Sequence, residues 1–321
     1  MLIEEIVPSV FRVKVPLPNN PLRYTNSYIV KAEDECLIID TGFNVDECYN
    51  TLALALDELR VEKPLFLSTH LHADHMGLAG RFSDSILMSS IEIECIEEMR
   101  RSSHDYWKKL VDFYVMNGFP KEEAGLLLRL HPGIKYTYWR DFKFKKLSDG
   151  DVITLGDVSL RCILTPGHTP GHICLYDEER KVLFSGDHVL FDITPNISWM
   201  PMLEDPLNEY LKSLEKLLSF NVKLVLPGHR GFGINLRERI EELKVHHEKR
   251  LKEALSALDH PKTAWEVAPS ISWDIEEKNL SKLPVIQKWF IVGETIAHLE
   301  HLVRKGEVSK VEVRGRILYY C

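Results

Sequence analysis

The sequence predicts an α+β fold: strands mixed with helices over about the first 235 residues, followed by a helical C-terminal module. Three observations carry this. Strand-length apolar runs recur up to about residue 230, bounded by Gly, Pro, Asn or Asp. Stretches with helical spacing of apolar residues lie between them and dominate beyond residue 235. Four strand-length runs end in loops that carry histidine or aspartate, which gathers polar groups on one rim of a sheet.

The elements follow in order. Residues 10–15 alternate as a half-buried strand does, and 16–21 form a Pro/Asn-rich loop. Residues 26–30 and 36–42 are two further strands, the second ending at Asp40 in a Thr-Gly turn. Residues 46–59 read as a helix with Leu52, Leu56 and Leu59 on one face. Residues 64–67 are an apolar strand. From about 91 to 138 the chain is mostly helical and reads as an insertion: 91–101, then 106–117 closed by Gly118, then a helix with Pro120 in its first turn. Tyr106, Trp107, Phe113 and Tyr114 make the insertion aromatic, which fits a lid over the rim or helix-to-core packing. His104 and His131 within it read as surface or packing histidines. Residues 142–147, 151–155 and 158–164 read as strands. Asp205 caps a helix that Pro206 opens and that runs to residue 218.

The chemistry concentrates in the four loops. His70, His72, Asp74 and His75 follow the strand 64–67. Thr-Pro-Gly-His168 follows 160–164, Ser-Gly-Asp187 follows another short strand, and Pro-Gly-His229 follows a third. Neutral imidazole and carboxylate suit Zn²⁺, and also Fe or Mn. A packing explanation is poor, because histidine and aspartate are costly to bury unpaired. His172, four residues after His168, reads as a brace behind a ligand. His188 points away from Asp187 and is a candidate for the substrate side, as is Arg230, which could steer an anionic group or lie in solvent. The loop 192–199 borders the expected pocket.

The ordered set His-x-His-x-Asp-His, Pro-Gly-His, Gly-Asp, Pro-Gly-His resembles the metallo-β-lactamase-fold hydrolases of the binuclear, glyoxalase-II-like kind. The resemblance covers roughly residues 1–235. It implies a four-layer αββα sandwich with a dimetal site at the sheet edge, and places the strands 142–147, 151–155 and 158–164 in the second sheet. It implies one metal on His70, His72 and His168, a second on Asp74, His75 and His229, and Asp187 bridging both. It implies a metal-bridging hydroxide as nucleophile, with Asp74 as ligand and proton carrier. Asp40 matches a family aspartate that holds a ligand histidine in place. His72 stands where oxygen-reducing diiron relatives carry glutamate, which favours hydrolysis.

Beyond 235 the texture changes. Residues 236–258 read as a charged helix leading out of the core, with His246 and His247 facing solvent. Thr263 to Glu266 fits a capping box, and 284–305 is a long helix closed by Gly306. No carboxylate arrangement beside His298 or His301 suggests a metal. Residues 310–320 form a hairpin turning at Arg314-Gly315. Helices followed by a basic hairpin resemble a winged helix, so the expected division is 1–235 and 236–321.

Composition bounds the function. The net charge of −8 disfavours a broad nucleic-acid surface. No apolar run reaches the roughly 18 residues of a membrane span. No secretory signal is visible, the six cysteines are scattered, and a cytoplasmic location with reduced thiols follows as the expectation. The first reading is a hydrolase of an ester, thioester or lactone, using two divalent ions, Zn²⁺ ahead of Fe or Mn. The alternative is an endoribonuclease that grips single-stranded RNA through the winged-helix-like module. No membrane partner is expected, and oligomeric state stays open, a homodimer included.

Overall fold

The computed structural model describes residues 3–32, 35–137, 143–275, 277 and 279–321, with Ser103 and His104 described in backbone only. The expected strand start at Phe142, the end of the insertion at Tyr138 and the side chain of His104 lie outside the described residues.

Seven strands form the first sheet in sequence order: β1 (Ile3–Val7), β2 (Val10–Pro16), β3 (Tyr24–Lys31), β4 (Cys36–Ile39), β5 (Pro64–Leu67), β6 (Ser85–Ser89) and β7 (Lys143–Leu147). The first four pair antiparallel, and β4 through β7 pair in parallel. The second sheet comprises β8 (Val152–Leu155), β9 (Val158–Leu164), β10 (Ile173–Asp177), β11 (Val182–Gly186) and β12 (Leu224–Pro227), in the order β12-β11-β10-β9-β8.

The alternation of side chains explains the layers. Leu37 and Ile39 of β4 face Leu160, Cys162, Leu175 and Phe184 of the second sheet, forming the core between the sheets. Ile38, on the other face of β4, packs with Leu52 and Ala55 of α1 (Asp46–Glu58). Between β5 and β6 lies the one-turn α2 (Ala73–Met76). Ile93 and Ile96 of α3 (Ser90–Arg101) join the layer formed with α1. The outer face of the second sheet is covered later in the chain, so strands such as β10 are buried on both faces and read as unbroken apolar runs.

The insertion comprises α3, α4 (Ser103–Met116), α5 (Lys121–Leu130) and α6 (Pro132–Lys135). Pro120 is the residue before α5, not its first helical position, and its extended ψ of 124° is why. His131 accepts a hydrogen bond from Gly133 N at 3.2 Å and packs on Trp107, a structural role as expected. Residues 143–147 correct the assignment above. They pair in parallel with β6 and close the first sheet, not the second. Three lysines give β7 little to bury on a second face, which suits an edge strand.

α7 (Pro206–Leu217) buries Leu207, Tyr210, Leu214 and Leu217 on the second sheet. α8 (Leu236–Ser256) overturns another expectation: it does not leave the core. Leu236, Ile240 and Leu243 pack beside α7, and His247 is fully buried further along the same face. The result is four layers, helix–sheet–sheet–helix. α9 (Ala264–Val267) starts with the predicted capping box at Thr263 and Glu266. α10 (Val285–Arg304) precedes the hairpin β13 (Ser309–Val313) and β14 (Arg316–Tyr320). Arg314 and Gly315 both have positive φ, 52° and 74°, as a tight two-residue hairpin turn requires. Tyr106, Leu110 and Leu127 of the insertion share one apolar cluster with Trp289, Val292 and Ile296 of α10. Among the described residues no helix is long and apolar enough to cross a membrane.

Asp205 ties α7 to α10. Its carboxylate accepts the Asn208 amide at 3.0 Å and faces His301 Nδ1 at 3.1 Å. Asp205→Ala is expected to lower stability by about 1–2 kcal/mol, the usual cost of an N-cap, read by urea unfolding.

Candidate metal centre

Two successive local structures deliver the first four candidate side chains. Beyond β5 the chain bends at residues 69–71, and His70 and His72 both reach one cluster. α2 then turns the chain, with Asp74 in its first turn and His75 beside it. The His75 carbonyl is held by Thr41 N and Oγ1 at 2.8 and 2.9 Å, and the Asp74 carbonyl by Thr25 Oγ1 at 3.0 Å. His168, Asp187 and His229 arrive from the loops after β9, β11 and β12.

The seven side chains meet. His72 Nδ1 lies 3.0 Å from His168 Nε2. His75 Nε2 lies 3.3 Å from His229 Nε2, and Asp74 Oδ2 lies 3.4 Å from the same atom. Asp187 stands between the groups: Oδ2 is 3.6 Å from His168 Nε2 and 3.4 Å from His229 Nε2, and Oδ1 is 3.4 Å from His75 Nε2. His70, His72 and His168 form one cluster able to hold an ion, and Asp74, His75 and His229 another; Asp187 also groups with His70 and His75. Ligand atoms of a tetrahedral zinc site, with bonds of about 2.0–2.1 Å, sit roughly 3.4 Å apart. The buried His70 Nε2 and Asp187 Oδ1 have no hydrogen-bond partner. Convergent, unpartnered nitrogen and oxygen donors fit a divalent ion.

The far side of four of the five imidazoles is fixed, which selects the nitrogen left facing the centre. His75 Nδ1 donates to Asp40 Oδ2 at 2.8 Å, and His229 Nδ1 to the Tyr24 carbonyl at 2.9 Å. His168 Nδ1 donates to the Asn196 carbonyl at 2.8 Å. His70 Nδ1 meets Thr69 Oγ1 at 3.0 Å, and that hydroxyl donates to Asp40 at 2.9 Å. Asp40 therefore holds His75 directly and His70 through Thr69. It occupies the left-handed region, with φ 61°.

Charge divides the site. Burial first, then neighbouring imidazoles, holds His70 well below its ordinary value and His72 at about 3, so both are neutral. Burial works the same way on His229, but Asp187 and Asp74 outweigh it and lift His229 to about 10. The same balance, against Asp187, Asp40 and Asp74, holds His75 well above its ordinary value. The carboxylates thus concentrate negative charge around the second cluster.

His172 braces Asp187 as anticipated. Its Nε2 accepts the Asp187 amide at 3.1 Å, and Nδ1 faces Thr165 Oγ1 at 2.9 Å. Two candidates do not reach the site. His188 is fully buried against Tyr210 and His172, because the turn after Asp187 sends it to the core side of the loop. Arg230 donates to the Pro21 carbonyl at 2.6 Å and so braces the loop after β2; no anion-steering role follows. Gly186 and Gly228 are required for close approach. A Cβ on Gly228 would lie 2.5 Å from Asp187 Oδ1, and one on Gly186 would lie 2.6 Å from His172 Nε2.

Two contributors escaped the sequence reading. Asn26 Nδ2 donates to the carbonyls of Pro227 and Arg230 at 2.9 and 3.0 Å, clamping the His229 loop from both sides. Glu92 of α3, fully buried, accepts Leu71 N and Gly171 N, each at 2.6 Å. Leu71 lies between His70 and His72, and Gly171 precedes His172, so one carboxyl joins the first and second histidine loops. No spacing rule singles out either residue, since their partners are backbone groups of remote loops.

Burial pushes the Glu92 carboxyl up to about 7, against the bonds from Gly171 and Leu71. A raised value means that its contribution to stability is full below about pH 4.5 and is lost as pH rises through about 7. Glu92→Ala leaves two buried amides unpaired. It is expected to cost about 2–4 kcal/mol and to flatten that part of the pH–stability curve, measured by urea unfolding between pH 4 and 8.

Residues 20–229 match the family model for the metallo-beta-lactamase superfamily, and residues 251–320 match that for the metallo-beta-lactamase-like C-terminal domain. Among solved structures, a metallo-beta-lactamase family protein from Thermus thermophilus superposes with TM-score 0.85 at 28% identity, over 98% of this chain and 99% of that one. The acyl-coenzyme A thioesterase MBLAC2 of Homo sapiens is 30% identical over 224 residues, 64% of this chain and 72% of that one. The atrochrysone carboxyl ACP thioesterase of Aspergillus fumigatus is 25% identical over 267 residues, 80% and 67% of the two chains. With its family signature covering residues 20–229 and all the rim loops, this chain belongs to the metallo-beta-lactamase superfamily and is a hydrolase.

Proposed function

We propose that the chain hydrolyses an acyl thioester with two divalent ions, Zn²⁺ ahead of Fe or Mn. His70, His72 and His168 would hold one and Asp74, His75 and His229 the other, with Asp187 between them. The observation that carries this is the pair of donor clusters meeting at one carboxylate, Asp187. The thioesterase relatives support the acyl chemistry. When bound, such ions lower the pKa of water toward about 7 and polarise an acyl oxygen.

The chain's own groups then have distinct tasks. Asp40, Thr69, Tyr24 and Asn196 fix the imidazoles in the orientation that leaves one nitrogen free. Asp74 is the more exposed carboxylate of the centre, its side chain 14% exposed against 9% for Asp187. It is held ionised, burial being outweighed by His75 and His229. Asp74 takes a proton as the water oxygen attacks the acyl carbon. The carbon–sulfur bond then breaks, and sulfur leaves with the electron pair and takes up the proton held by Asp74. The balance is thioester plus water to carboxylate, thiol and one proton. A thiol of pKa about 8.5 leaves readily as thiolate, so a strong acid on the leaving-group side is unnecessary.

Cleavage of RNA is the reading this one displaces. Of the four cations Lys305, Lys310, Arg314 and Arg316 in and just before the hairpin, Lys310 is paired with Glu300 and Lys305 with Glu307. Those pairs reduce the charge available to phosphates and support a small-molecule substrate.

Zn²⁺-loaded protein is to be assayed on a panel of acyl thioesters and, in parallel, on labelled single-stranded RNA. Thioester hydrolysis that falls about 10²–10⁴-fold in Asp74→Asn, with RNA intact, is the expected result. RNA cleavage lost in Asp74→Asn, with no acyl hydrolysis by the wild type, would reverse the assignment.

A further inference from the structure

A second buried polar cluster lies away from the rim. His247 of α8 meets Glu294 and His298 of α10. This corrects two expectations: His247 does not face solvent, and His298 does have a carboxylate beside it, one turn earlier on the helix. The set resembles a metal site, but its carboxylate is already engaged. The Arg250 guanidinium is ion-paired with Glu294 Oε1 and lies 4.3 Å from the Trp273 ring centroid. His298 Nδ1 donates to the Glu294 carbonyl at 2.7 Å, and its Nε2 faces His247 Nδ1 at 3.2 Å. Arg250 already neutralises the carboxylate that a metal would need.

The other oxygen of Glu294 points out of the cluster. Glu294 Oε2 accepts a hydrogen bond from Asn196 Nδ2 at 2.7 Å. The backbone carbonyl of Asn196 is the group that accepts from His168 Nδ1. Asn196 sits in the loop 192–199, which has no helix or strand of its own to fix its carbonyl direction. One side-chain bond and one backbone bond to α10 fix it instead. Ser198 Oγ donates to Asn196 Oδ1 at 2.5 Å, and Trp199 N donates to the Gly293 carbonyl at 3.0 Å. Trp199 also stacks on Phe113 of α4, ring centroids 3.9 Å apart. Gly293 permits the contact: a Cβ there would lie 2.2 Å from Tyr114 Oη and 2.8 Å from Ser198 Oγ.

We propose that Asn196 and Glu294 are positioning residues for His168, and that the C-terminal module serves the metal centre through them. This rests on the metal reading given above. The orienting partner of a ligating imidazole sets its tautomer and ring plane, and loss of such a partner typically weakens metal binding 10–100-fold. Here the partner is a loop carbonyl, and the loop is anchored to an ion pair between α8 and α10. The module reaches the site through two hydrogen bonds, Glu294 to Asn196 and Asn196 to His168, without touching substrate.

The test is titration of full-length protein with Zn²⁺ against a chromophoric chelator, resolving two binding events, with thermal unfolding alongside. Asn196→Ala keeps its carbonyl and the Arg250–Glu294 pair but loses the tie. It is expected to weaken one event about 10–100-fold, leave the other unchanged and barely move the melting temperature. Ser198→Ala, the milder variant, is expected to weaken the same event severalfold. Glu294→Gln offers one oxygen to both Arg250 and Asn196. It is expected to lower the melting temperature and to weaken the same Zn²⁺ event, with the other near wild type. If Asn196→Ala and Ser198→Ala titrate like the wild type, or weaken both events in step with stability, the positioning role is wrong while the metal reading stands. If the wild type takes up no Zn²⁺, both fall together.

Discussion

Two carboxylate oxygens of Asp187, facing imidazoles from three separate loops, are the contact on which the site depends. His75, His168 and His229 come from remote parts of the chain, and each points a ring nitrogen at this one side chain. Buried polar atoms are normally paired. Here Asp187 Oδ1 and His70 Nε2 are not, and the groups around them are held too firmly from behind to turn away. Much of the surrounding architecture serves that convergence. The sandwich brings the ends of β5, β9, β11 and β12 to one rim, and glycines let the loops approach within contact of the ligand atoms.

Support for the centre comes in layers of increasing distance. Asp40 reaches two histidines, one through Thr69. Glu92 links the loops of His70 and His168 from beneath, through their backbone amides. Asn26 clasps the His229 loop. Asn196 connects His168 to the buried ion pair of Arg250 and Glu294. The insertion and the C-terminal helices share a single apolar cluster, so the part of the chain that carries Glu294 is fixed relative to the rim by packing as well. A substitution far from the centre can thus alter one imidazole without altering the fold.

The seven converging side chains were legible because chemistry and topology coincide in their local sequence. An apolar strand, a small residue and a histidine or aspartate state both where the chain ends its strand and what it offers there. The helix boundaries were legible for similar reasons, with Asp205-Pro206 and the Thr263–Glu266 box as local signals. Other features were not local. Strand order is set by pairing, so the edge position of β7 could not be read from Lys143 to Leu147. The charged composition of α8 concealed a buried stripe, because Arg250 is buried with a partner 44 residues away and His247 packs against His298. Glu92 and Asn196 look like ordinary helix and loop residues. Their partners, Leu71, Gly171, His168 and Glu294, become neighbours only on folding. His188 and Arg230 misled for the opposite reason: proximity in sequence to a ligand says nothing about which side of a tight turn a side chain takes.

The most direct measurement is a crystal structure of Zn²⁺-soaked protein with data collected across the zinc absorption edge. Two anomalous peaks about 3.5–4 Å apart, one among His70, His72 and His168 and one among Asp74, His75 and His229, with Asp187 between them, is the predicted result. Absence of any peak at this rim, at full soak and with the seven side chains ordered, would contradict the account.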